Sequence, residues 1–278
     1  MRAELDRTGL PLVGRARELD AISASLESAR GGNGGLLCII GDAGIGKTRL
    51  AAEAMRLARS AGFTCAWGSG WSEGGSPPLW PWPSIVEQLG QRAEPGSLLS
   101  GVTPGDVDAE RFAQFRSVSR AIARATELNP VMIVIDNAQT ADAGALLLAR
   151  FVIKSLPASD VFFVITARTP HVDSPDEAAI AEIAREGVVL RPAPLTVGVV
   201  RDMLRELGWT DSDRRIEEVH RLTGGNPLLV NELVASTEPG HPIEARSVRA
   251  IMELRTRELD PDEPVSYTHL TLPTILRV

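Results

Sequence analysis

Eight consecutive residues, Gly41-Asp42-Ala43-Gly44-Ile45-Gly46-Lys47-Thr48, set glycines, a lysine and a hydroxyl at the spacing G-x-x-x-x-G-K-[ST]. Those residue types point to phosphate chemistry. Glycines let backbone N–H groups turn inward around an anion, and a following helix N-terminus adds its partial positive charge. Lys47 is the type and position that reaches the β- and γ-phosphates of a nucleoside triphosphate, and the Thr48 hydroxyl the one that holds Mg²⁺. The loop reads phosphates and not the base.

A phosphate loop needs an acid at the end of a neighbouring strand to complete the Mg²⁺ shell. Asp136 fits, because it ends the apolar run Val131-Met132-Ile133-Val134-Ile135. Hydrolysis further requires a group that activates or orients water. The position after Asp136 is Asn137, an amide that accepts no proton at neutral pH, so general-base help from it is lost. Gln139 could orient water and Asp142 lies one turn further, or both are polar helix-start residues. Arg168 follows the apolar run 161–166, at the sheet edge where ligands bind in parallel folds. It either senses the γ-phosphate or pairs on the surface with Asp173 or Glu177. Expected turnover is slow, with Lys47, Asp136, Gln139 and Arg168 as its candidate residues.

The elements that position these groups alternate. Leu36–Ile40 reads as a strand entering the loop, and Leu50–Ala58 as the helix leaving it. Upstream, Leu19, Ile22 and Leu26 share a helical face that the run Gly31–Gly35 ends. Strands are predicted at Phe63–Gly68, Val131–Asp136, Val161–Thr166 and Val188–Leu190. The helices between them include one with Phe112, Phe115, Val118 and Ile122 on its apolar face, one through Leu146, Leu147 and Phe151, and one near 177–185. A stretch of roughly 69–106, holding Trp71, Trp80 and Trp82 among glycines and prolines, reads as irregular. Its indoles would form a partner surface or, preferably, fold back over the sheet.

This alternation predicts an α/β fold, a P-loop NTPase whose parallel sheet is flanked by helices on both faces, over residues 1–192. From Pro194 the pattern is helical throughout, at 197–207, 213–222, 227–236 and 246–259. That predicts a small all-helical lid domain over 193–264. Residues 265–278 break the pattern, hold the only tyrosine, and resemble one reading frame of a transposase-type sequencing-library adapter. They are expected to be non-native, the gene being cut near Pro264.

Composition narrows the classes. With 278 residues, 44% hydrophobic and 23% charged, the chain has the material for a globular core. It holds no apolar run of about 18 residues, so no membrane contact is expected. A net charge of −7 argues against broad binding of nucleic-acid phosphates by this segment. Cys38 and Cys65 lack CxxC spacing and read as small buried hydrophobes of a reducing cytoplasm. The four histidines carry no ligand spacing.

Together these motifs resemble the signal-transduction ATPases with numerous domains, specifically the large LuxR-type bacterial transcriptional regulators. Five stretches carry the resemblance across 12–260. They are Leu12-Val13-Gly14-Arg15 with Glu18, the phosphate loop, the tryptophan segment 71–82, the run from Val134 to Asp142, and Thr223-Gly224-Gly225-Asn226-Pro227 through Val230. The resemblance implies ATP and ADP with Mg²⁺ as cofactors, and adenine as the base. Val13, Gly14 and Arg15 would lie near adenine and ribose. Gly41, Asp42, Ala43, Gly44, Ile45, Gly46, Lys47, Thr48 and the adjoining Arg49 would line the nucleotide, with Thr48 and Asp136 as metal ligands. Pro227 would lie in the turn that brings the helical lid onto the nucleotide, or would simply open a helix at its first turn.

Members commonly read aspartate, histidine and tryptophan where this chain has Asn137, Gln139 and Thr140, a departure that bears on hydrolysis. The family implies a cytoplasmic switch. ADP holds a closed state, while an inducer with ATP favours an open, often self-associated one. The inducer is unknown, and DNA would be bound only through a C-terminal helix-turn-helix domain outside this chain. The alternatives are a free-standing AAA-like ATPase of loader or origin-binding type, and a nucleotide-holding scaffold without turnover.

Overall fold

The computed structural model describes residues 12–71, 77–90, 107–156, 160–169, 175–209, 212–237 and 241. The chain divides into two compact units, Met1–Leu195 and Thr196–Val278.

The first unit opens with α1 (Ala16–Ser28), whose Ile22 and Leu26 are buried. A wide turn, Ala29–Asn33, ends it, and Gly32 at φ 79° breaks the helical path there. The chain then enters β1 (Gly35–Ile40), leaves through the glycine loop, and continues as α2 (Lys47–Ser60). After β2 (Thr64–Ser69) comes α3 (Trp82–Gln88), and α4 (Val107–Thr126) leads into β3 (Val131–Asp136). A single 3₁₀ turn, Ala138–Thr140, precedes α5 (Ala143–Ser155). The unit closes with β4 (Val161–Ala167), α6 (Pro175–Ala184) and β5 (Val188–Leu190).

All five strands are parallel, in the order β2-β3-β4-β1-β5. The predicted parallel sheet with helices on both faces is therefore the observed one. Side chains alternate across a strand, so a strand buried on both faces must be apolar throughout. In β3, Ile133 and Ile135 face the cluster built by α3 to α6, while Met132 and Val134 face the one built by α1 and α2. Helix α2 reaches the sheet through Leu50, Ala51, Ala54, Met55 and Ala58, its alanines allowing close approach.

Two local expectations change. The stretch predicted as irregular contains α3, and Trp82 within it is 1% exposed, its indole N–H donating to the Ala145 carbonyl at 3.0 Å. Apolar contact with the sheet gives this short helix the stability that its length denies it in isolation. Phe112, placed on the apolar face of α4, is 52% exposed. Phe115, Val118 and Ile122 reach the core, whereas Phe112 stays at the surface in a T-shaped contact with Phe151, ring centroids 5.5 Å apart.

The second unit is helical throughout its described residues: α7 (Val197–Glu206), α8 (Asp213–Thr223) and α9 (Pro227–Ala235). Val200, Leu204, Val219, Val230 and Leu233 are buried. Gly224 and Gly225, at φ 62° and 73°, end α8 in the left-handed region. The expected helix at 246–259 and the tail 265–278 lie outside the described residues. No helix among the described residues is long and apolar enough to cross a membrane.

Burial in the sheet pushes the Cys38 thiol up to about 12, and burial likewise pushes Cys65 up to about 11 despite the nearby Arg59. Both thiols stay neutral at ordinary pH, and the fold loses stability only as pH climbs from the usual thiol range toward those values. Cys38 is buried as expected, whereas Cys65, also read as buried, is half-buried near the start of β2. Cys38 should therefore resist thiol titration at pH 8 in the native chain and react once urea unfolds it. Rapid native labelling of Cys38 would contradict the burial of β1.

Candidate functional site

The site forms where the C-terminal ends of β1, β3 and β4 meet. Gly41 leaves β1 with its N–H on the Ala167 carbonyl at 3.3 Å. Gly44 and Gly46 adopt φ 70° and 101°, conformations that favour glycine, and Gly46 is the residue before the first turn of α2. Lys47, 8% exposed, folds its ammonium back across the loop and donates to the Gly41 and Asp42 carbonyls, both at 2.8 Å. The loop is thus closed around the Lys47 ammonium at a helix N-terminus, a setting that favours an anion.

Strand register brings the acid to the loop. β4 lies between β1 and β3, with Thr166 opposite Ile39 and Ile135 opposite Ile165. Asp136, 4% exposed, therefore stands beside Thr166. The Thr166 hydroxyl donates to Asp136 Oδ1 and accepts the Asn137 N–H at 3.0 Å. From the other side the Thr48 hydroxyl lies 3.0 and 3.1 Å from the two Asp136 oxygens. Burial raises the Asp136 pKa, opposed in turn by hydrogen bonds from Thr166, Thr48 and the Asn137 N–H and by the charge of Lys47.

A buried carboxylate touching a hydroxyl at a phosphate loop is an all-oxygen donor set suited to a hard cation such as Mg²⁺. The residues fit a nucleotide phosphate group and its metal. Thr48 and Asp136 would hold the metal, and the loop with Lys47 the phosphates. Neither sequence pattern nor spacing had singled out Thr166. The available signal was a hydroxyl residue near the end of an otherwise apolar strand.

Beyond Asp136 the chain turns sharply. Asn137 is exposed at φ 53°, a left-handed conformation that asparagine tolerates better than most residues. Gln139 accepts the Arg168 N–H through Oε1 at 3.2 Å, so these two candidates meet through the Arg168 backbone. The Arg168 side chain is exposed; of its rival partners, Asp173 lies outside the described residues. Asp142 caps α5, accepting the Ala145 N–H at 3.1 Å, which is the helix-start role. The exit of β2 is bound to this turn. Gly70 donates to the Asp136 carbonyl at 2.8 Å, and a Cβ on Gly70 would come within 2.1 Å of Thr140 Oγ1.

The remaining candidates fall as follows. Val13 and Gly14 form a turn before α1, Gly14 at φ 70°. Arg15 is buried, and its guanidinium bonds to protein carbonyls and to Glu18. Asp42 is exposed, Ala43 half-buried and Ile45 buried. Arg49 is half-buried, its pKa lowered by burial and raised in part by Glu53. Pro227 opens α9, where the Asn226 side chain accepts the Leu228 and Leu229 N–H groups at 3.0 and 3.5 Å.

Residues 11–165 match the family model described as AAA ATPase domain. No curated protein matches the chain. Among solved structures, the chain is similar to a signal transduction ATPase with numerous domains, carrying a tetratricopeptide repeat sensor, from Pyrococcus horikoshii. The two share 17% identity at TM-score 0.51, over 88% of this chain and 33% of that one. It is also similar to the Aeropyrum pernix ORC2 protein (ADPNP-ADP complexes), at 14% identity and TM-score 0.53, over 91% and 72%. The third is the Aeropyrum pernix ORC1 protein in complex with DNA, at 18% identity and TM-score 0.52, over 92% and 70%. At such identities the likeness is one of fold. The chain spans a third of the length of the Pyrococcus protein.

The Thr166 bridge makes a specific demand. Thr166→Val removes a donor to a buried carboxylate and an acceptor for the Asn137 N–H, and should cost about 1–3 kcal/mol of unfolding free energy. Urea titration reads this directly, and an unchanged midpoint would show that the bridge contributes nothing.

Proposed function

The chain belongs to the AAA ATPase domain family, and on that premise we propose that it is an ATP-binding regulatory switch with slow hydrolysis. The observation that carries this reading is the closed set of contacts joining Lys47, the loop carbonyls, Thr48 and Asp136 at one end of the sheet. Lys47 and the loop N–H groups bind and orient the phosphates, and Asp136 with Thr48 seats the metal. Mg²⁺, when bound, offsets charge on the phosphate oxygens.

Slow turnover follows from the chain's own residues. Asn137 offers no base, Gln139 accepts a backbone N–H, and Asp142 caps a helix. A water near the phosphates therefore meets no carboxylate from the 137–142 turn that is committed to taking its proton. Arg168, exposed beyond β4, is the candidate for sensing the γ-phosphate. The partners of such a switch are an unidentified inducer, further copies of the chain, and DNA reached through a C-terminal domain of a bacterial transcriptional regulator. The absence of a catalytic acid at 137 equally favours a second reading, a nucleotide-holding scaffold that does not turn over.

Binding of a fluorescent ADP analogue tests the reading. Lys47→Ala should weaken it roughly tenfold to a hundredfold, the worth of a charge-assisted contact. Turnover of ATP by the unaltered chain should stay below about 1 s⁻¹, under the usual enzyme range, and Asn137→Asp should raise it by about an order of magnitude or more. Fast turnover by the unaltered chain would refute the switch, and no turnover in either form would favour the scaffold.

A further inference from the structure

One buried charge at the loop is not explained by phosphate binding. Arg15 is 4% exposed. Its Nη2 donates to the Ile45 carbonyl at 3.0 Å, and its Nη1 donates to the Ala193 carbonyl at 2.7 Å and to Glu18 Oε1 at 2.8 Å. A single guanidinium thus joins the turn before α1, the glycine loop, and the segment that follows β5. That segment also lies close to the start of the loop, where a Cβ on Gly41 would sit 3.7 Å from Pro192. The resemblance had put Arg15 beside adenine and ribose, but three of its five donors are committed to the protein.

The bond to Ile45 has a directional consequence. In a trans peptide the C=O and the following N–H point to opposite sides. Holding the Ile45 carbonyl toward Arg15 therefore aims the Gly46 N–H away from it. Ile45 lies between Gly44 at φ 70° and Gly46 at φ 101°, so this peptide can turn over at small steric cost unless something outside the loop holds it. Turned over, it would offer a carbonyl oxygen where an anion needs a donor. Glu18 fixes the plane of the guanidinium and offsets its buried charge.

We infer that Arg15 is a positioning residue for the phosphate cradle, presetting the Ile45–Gly46 peptide so that its N–H serves the phosphates. It acts through the loop and not by touching base or ribose. The inference rests on the nucleotide-binding reading above, and it specifies which part of the ligand depends on Arg15.

The test uses the full chain and its Arg15→Met and Arg15→Lys variants. ATP and inorganic pyrophosphate each displace a fluorescent ADP analogue, and thermal melting is followed in parallel. Arg15→Met should weaken ATP and pyrophosphate by the same factor, about tenfold or more, because both use the cradle. Arg15→Lys, which keeps the charge but loses the planar fork, should fall between Arg15→Met and the unaltered chain. If the methionine variant does not fold, the lysine variant carries the comparison. Weakened ATP with unchanged pyrophosphate would overturn the inference in favour of a base or ribose contact. Lowered melting with both affinities unchanged would overturn it in favour of a purely structural role. Failure of the unaltered chain to bind either ligand would refute the nucleotide reading itself, a separate result.

Discussion

The Asp136 carboxylate governs the arrangement of the whole site. Taking a carboxylate out of water costs on the order of several kcal/mol unless donors replace its hydration. Here Thr166 supplies one donor from the neighbouring strand and Thr48 another from the phosphate-loop helix. Each depends on the parallel register, because Thr166 stands between the Asp136 strand and the strand that feeds the loop. A shift of one residue in β4 would turn Thr166 to the other face and leave the acid without its partner. The core on both faces of the sheet, from Ile22 and Leu50 on one side to Trp82 and Ile122 on the other, holds that register.

Much of this was legible in the amino-acid order because the constraints are local. The spacing of Gly41, Gly44, Gly46, Lys47 and Thr48 belongs to one loop, and a doubly buried strand declares itself as an unbroken apolar run. What escaped depends on contacts between distant segments. Thr166 matters only because register sets it beside Asp136. Helix α3 forms because Trp82 finds a buried place and the Ala145 carbonyl. Phe112 follows the helical period yet is exposed, since periodicity describes a face and not how far along the helix its neighbour extends. For Arg15, the motif drew the eye to the residue, while its bonds to the Ile45 and Ala193 carbonyls join segments far apart in the chain.

Two cationic side chains hold the phosphate loop through its carbonyls. Lys47 holds two of its carbonyls and Arg15 a third, and the turn after β3 is tied to the exit of β2 through Gly70. Gly70 has no room for a side chain against Thr140 and Asn137, so the exit of β2 packs directly on that turn. A ligand shifts such an assembly only by its differential affinity for two arrangements.

On the proposed reading, the loop and Asp136 form one seat for phosphate and metal. The most direct measurement is the crystal structure of the chain grown with Mg²⁺ and a non-hydrolysable ATP analogue. Phosphates are expected within residues 41–48 and a metal ion held by the Thr48 hydroxyl and Asp136, with Thr166 still bonded to the acid. Nucleotide bound elsewhere, or an intact Thr48–Asp136 contact with no metal between them, would contradict that reading.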